Sequence, residues 1–69
     1  MKKVTITLAD LGDVPSVATN GTIRTFLVVQ QVNMVQFKIG QRIGKEDVDN
    51  LIKEESINVT IRKAKDSDF

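Results

Sequence analysis

The chain of 69 residues contains no His, no Cys, no Trp and no Tyr, and only one Pro and four Gly. Without sulfur to pair, no disulfide can brace the fold. Protein zinc is held mainly by Cys and His, so a structural zinc site is nearly excluded as well. The same absences leave carboxylates and lysines as the only side chains able to act as a base. No run of apolar residues approaches the roughly 18 that a membrane helix requires. Met1-Lys2-Lys3 resembles the start of a secretory leader, but Thr5, Thr7 and Asp10 interrupt any apolar stretch behind it. The expectation is a soluble cytoplasmic protein with no membrane partner and no cofactor.

Ten basic residues stand against nine acidic ones, a net charge of +1, well short of the basic excess usual in a duplex-DNA binder. A chain this short forms one domain and buries only about 60% of the surface that its unfolded form exposes. Small domains offset that thin margin with disulfides, metals, very regular packing or association. The first two are removed here, so packing and self-association remain.

What is present reads as short strands and one helix. Val4, Ile6 and Leu8 alternate with Lys3, Thr5 and Thr7, the period of a half-buried strand. Asp10-Leu11-Gly12-Asp13-Val14-Pro15 then carries the Gly and Pro of a loop. Asn20-Gly21 is the pair best suited to a two-residue hairpin turn, with Ser16 to Thr19 and Thr22 to Gln30 as its arms. From Phe26 to Val29 the second arm is apolar on both sides, which suits a strand covered on both faces. Asn33 either turns the chain into a further strand from Met34 to Ile39 or bulges one long bent strand from Thr22 to Ile39. The turn is favoured, with Val35, Phe37 and Ile39 facing inward.

Lys45 to Glu55 reads as the helix. Val48, Leu51 and Ile52 form its apolar stripe, and Glu46, Asp47 and Asp49 crowd its positive N-terminal end. Ile57 to Arg62 alternates as a last strand. The fold class is therefore α+β: a mostly antiparallel four- or five-stranded sheet with one helix packed on one face, in the order strand, hairpin, strand, helix, strand. Residues 1–63 make a single small domain and residues 64–69 a flexible C-terminal tail. That order is compatible with a β-grasp or small-barrel outline, but no family motif accompanies it.

The chemical motifs are weak. Asp10 and Asp13 flank a loop Gly, where Asp is favoured for turn geometry alone. Asp47 and Asp49 are two apart on a helix and do not face one another. Asp47-Val48-Asp49-Asn50 lacks the Gly and the terminal Glu of a calcium loop. Gly40 and Gly44-Lys45 are one residue too close for a phosphate loop, and Glu46 replaces its Ser or Thr. Asn58-Val59-Thr60 matches a glycosylation acceptor only incidentally. These readings exclude catalytic, cofactor and metal residues, and the chain is expected not to be an enzyme.

Two functional expectations follow. The first is a small non-enzymatic binding or assembly protein acting as a homo-oligomer, of the kind common among bacterial and phage accessory proteins. Its partner would be a second copy of the chain or another protein. Phe26, Leu27, Val28, Val29, Val32 and Met34 would form core and interface, with Phe26, Val28, Val32 and Met34 as the candidate protein interface. The alternative is a small nucleic-acid-binding protein using a basic sheet face, with contacts from Arg24, Lys38, Arg42, Lys45 and Arg62. Phe26 beside Arg24 would then serve as a stacking platform.

Overall fold

A computed structural model describes residues 3–18 and 20–69. Four strands form one open sheet: β1 (Val4–Ser16), β2 (Gly21–Val32), β3 (Arg42–Gly44) and β4 (Ile57–Lys63), in the spatial order β3-β2-β1-β4. The helix α1 (Lys45–Lys53) links β3 to β4 and lies across one face. The class is α+β, as the hydrophobic periods indicate. The sheet is mixed, however, because β4 runs parallel to β1 while β1–β2 and β2–β3 are antiparallel. A parallel neighbour demands a crossover connection, and α1 supplies it.

The first strand is longer than its alternation suggests. Asp10 to Pro15 do not form a loop but continue β1 through a bulge at Leu11–Gly12. Gly12 takes φ 77° there, and the Asp10 carboxylate accepts its N–H at 2.9 Å. A bulge absorbs one extra residue without ending the ladder. Pro15 is tolerated because β4 pairs β1 only as far as Asp10, leaving Pro15 on an open edge.

The hairpin forms at the expected place but with a wider loop. Ser16 pairs with Gly21, so residues 17–20 make the connection and Gly21 already belongs to β2. Asn20 supplies the left-handed backbone, φ 54°. Thr19, expected at the end of the first arm, lies outside the described residues.

Met34 to Ile39 is not a strand. Asn33 turns the chain at φ 59°, after which an irregular segment runs to the three-residue strand β3. The Gln31 side chain organises it, its Oε1 accepting the Met34 N–H at 3.1 Å and its Nε2 donating to the Phe37 carbonyl at 3.4 Å. Met34 drops into the core while Val35 and Ile39 are 91% and 63% exposed. Of the expected inward residues only Phe37 packs against the core; the buried residue near the end of the segment is Ile43, which pairs with Phe26.

The core gathers Ile6, Leu8, Phe26, Val28 and Ile43 from the sheet with Val48 and Leu51 from α1, closed by Met34. Ile52, expected in the helix stripe, lies to its flank at 57% exposure. The opposite face of the sheet carries Thr5, Thr7, Asn58 and Thr60, and one row runs Arg42, Leu27, Ala9, Arg62 across all four strands. At the C-terminus, where a flexible tail is expected, a 3-10 turn spans Asp66–Asp68.

Candidate functional site

Strand alternation puts Phe26 and Val28 on the helix side, where they are 5% and 0% exposed. Met34 joins them at 8%, and of the four expected interface residues only Val32 is open, at 49%. The two-sided apolar strand is thus used mainly from within. Phe26 and Val28 face the core, whereas Leu27 and Val29 are half-buried elsewhere on β2.

Of the five expected nucleic-acid contacts, Arg24 and Lys45 line one groove, together with Asp10 and Asp49, and the other three lie apart from it. Arg24 lies on the helix side of β2, paired with Asp10. Arg42 and Arg62 lie on the opposite face at the two outer strands. Lys38 sits in the irregular segment and Lys45 at the start of α1. Phe26, the proposed stacking ring, is buried.

Two of these cations already have partners. The Arg24 guanidinium, helped by the Gly12 N–H, holds the Asp10 carboxyl below its ordinary pKa. Arg62 grips Asp68 with two nitrogens at 3.0 and 3.3 Å and also donates to the Lys63 carbonyl. That grip, with the Lys65 N–H, likewise lowers the Asp68 pKa. Both carboxylates therefore act as structural acceptors. Asp13, Asp47 and Asp49 are exposed. Among the described residues no group of three or more acidic side chains is placed to hold a metal ion, and no helix is long and apolar enough to cross a membrane.

The feature that periodicity does not reveal is the outer edge of β4. This seven-residue strand ends the sheet. Its free edge can be assigned from the bonds of Val28. Val28 faces the helix, and its N–H and C=O bond toward the β3 side, to the Gln41 carbonyl and the Gly40 N–H. Because β4 runs opposite to β2, its helix-facing residues must aim their polar groups the other way, off the sheet. Val59 and Ile61 therefore present unshared backbone donors and acceptors along the edge.

Apolar side chains accompany them. Ile61 on β4 is 45% exposed and Ile52 on α1 is 57% exposed. Ile52 lines two shallow grooves, one beside this edge and one running from Ile61 across the helix side of the sheet to Arg24. One, of about 640 Å³, runs over Ile57, Val59 and Thr60, and the other, of about 230 Å³, over Phe26, Val48 and Ile61. The opposite edge of the sheet differs, since β3 is only three residues long. Short edge strands resist pairing, whereas a flat seven-residue edge without Pro or bulge invites it. Ile57 to Arg62 is legible as a strand from its alternation. Its place at the border is not, because strand order is a tertiary property.

No protein-family model, curated protein or solved structure matches this chain.

Proposed function

We propose that this is a small non-enzymatic binding or assembly protein that works as a homo-oligomer, in the manner of bacterial and phage accessory proteins. The observation that carries this reading is the unshared edge of β4 with Ile52 and Ile61 beside it. Backbone groups on a strand edge supply affinity to any extended partner, and adjacent apolar side chains supply buried area. The interaction surface accordingly moves from Phe26, Val28 and Met34 to β4 and the flank of α1. The dispersal of Arg24, Arg42 and Arg62 over two faces gives nucleic-acid binding no comparable support.

Sedimentation equilibrium from low to high micromolar concentration tests the proposal. The expected result is a mass above the 7.7 kDa of one chain, returning to one chain in Ile61→Lys with an unchanged circular-dichroism spectrum. Ile61 is sufficiently exposed to accept the charge without entering the core. A single-chain mass for the unmodified protein at high micromolar concentration would refute it.

A further inference from the structure

Resting on that reading, we infer that the partner at the β4 edge is a second copy of this chain, paired antiparallel about a two-fold axis at Thr60. The free groups set the rule for pairing. On the outer edge the odd-numbered residues from 57 to 63 aim their polar groups outward, but the Ile57 N–H is already donated to the Glu54 carbonyl and the Lys63 carbonyl accepts from Arg62. Val59 and Ile61 keep both groups free, so an antiparallel partner must match these two to one another first. The register centred on Thr60 does this and overlaps the whole of β4: Val59 faces Ile61 of the second copy, Ile57 faces Lys63, and Thr60 faces Thr60. Any other centre leaves part of the seven-residue strand unpaired.

Charge selects the antiparallel sense and the like partner. Glu54 and Glu55 lead into β4, Lys63 ends it and Lys65 follows it, all four exposed. Asp68, held by Arg62, also accepts the Lys65 N–H and bears on the Lys65 charge, which leaves Lys63 as the main basic group at the exit. A copy turned end for end brings its acidic entry beside the basic exit of the first, with Glu55 level with Lys65 at both ends, against one opposed pair in which Glu54 lies level with Asp66. A parallel copy would set acid against acid and base against base, which disfavours it. The two-fold keeps both helices on one side of a continuous eight-stranded sheet, twice the four strands of one chain. It also brings Ile52 and Ile61 of both copies to the seam. Isologous two-fold contacts of this kind are self-complementary by construction.

The absence of cysteine makes the register directly readable. Thr60 would be a non-hydrogen-bonded pair on the axis, with its two Cα atoms about 4.5 Å apart, inside the roughly 4.4–6.8 Å that a disulfide accepts. Two copies of Asn58 would be offset by four residues, about 13 Å along the strands, beyond bridging distance. Both positions are exposed on the same face and pair with β1 through backbone, so either cysteine leaves the fold in place.

Under oxidised glutathione at micromolar protein, Thr60→Cys should form covalent dimer at least about tenfold faster than Asn58→Cys, since held thiols sit at millimolar effective concentration. Equal rates, or a faster Asn58→Cys, overturn this register. Cross-linking of neither variant while sedimentation shows an oligomer overturns the β4 pairing and leaves self-association standing on another surface. A single-chain mass for the unmodified protein removes both.

Discussion

Ile43 and Ile39 lie four residues apart, and the structure gives them opposite roles. Ile43 sits in the three-residue strand β3 and is 4% exposed against Phe26; Ile39 is 63% exposed in the irregular segment before it. Replacing Ile43 with Ala deletes three carbons, about 2.4 kcal/mol at roughly 0.8 kcal/mol each. The cavity left against Phe26 raises the cost, while the edge position lets neighbours settle partly into it. Together these give a loss of about 2.5–4 kcal/mol. A domain of this length has a total stability of about 3.5–10 kcal/mol at roughly 0.05–0.15 kcal/mol per residue, so the loss is a large fraction of it. Ile39→Ala should cost less than about 0.5 kcal/mol, as exposed substitutions do. Urea unfolding followed by circular dichroism measures both. With a slope near 1 kcal/mol/M for so small a protein, the Ile43→Ala midpoint should fall by about 2.5–4 M. The strand expected from Met34 to Ile39 makes the reverse forecast, because it buries Ile39. Equal losses for the two variants, or a larger one for Ile39→Ala, would refute the placement of β3.

Three further outcomes follow from other parts of the fold. Val28→Asp should yield unfolded or aggregated chain and not a soluble monomer, because Val28 is fully buried and an unpaired carboxylate there costs several kcal/mol; a folded monomer by circular dichroism would contradict its place in the core. Gly12→Ala should cost about 1–2 kcal/mol in thermal unfolding through the left-handed backbone alone, since a Cβ there meets no atom within 4 Å and φ is 77°; an unchanged midpoint would show that the bulge relaxes. Asp10 and Asp68 have folded pKa values below the ordinary 3.8. Their contribution is therefore complete above that value and is lost as pH falls through the lower folded values. Unfolding midpoints measured from pH 5 to pH 2 should fall in the native chain and fall less in the doubly substituted Asp10→Asn, Asp68→Asn chain; identical slopes would dismiss both ion pairs as contributors.

Local signals place the elements where one physical preference dominates. Val4 to Leu8, Thr22 to Gln30 and Ile57 to Arg62 form strands where β-branched alternation says they should. The acidic first turn and the pair Val48 and Leu51 mark α1 within two residues of its end. Asn20 and Asn33 both take the left-handed backbone that their short amides tolerate. The same reasoning failed where two devices compete. Gly12 and Pro15 look like a loop, yet a bulge and an open edge absorb them. Val35, Phe37 and Ile39 alternate like a strand, yet Asn33 and the Gln31 amide turn the chain away. A related ambiguity affects Phe26, Val28 and Met34, which are buried in the core: they are apolar enough for either a core or a contact surface, and composition does not separate the two.

The absences with which the chain presents itself, no His, Cys, Trp or Tyr, determine much without any structure. They remove disulfide and histidine chemistry and nearly exclude a structural zinc, and they leave a small core to be held by packing or self-association. Periodicity adds the α+β class and most of its elements. Tertiary structure decided which strand ends the sheet, which apolar residues are consumed inside it and which basic residues are already paired. The physical reason is range. Alternation and turn preference act over a few residues, whereas the parallel pairing of β4 with β1 joins segments some fifty residues apart, as in Val4 with Ile57. That pairing leaves the far side of β4 open, with Ile52 and Ile61 beside it.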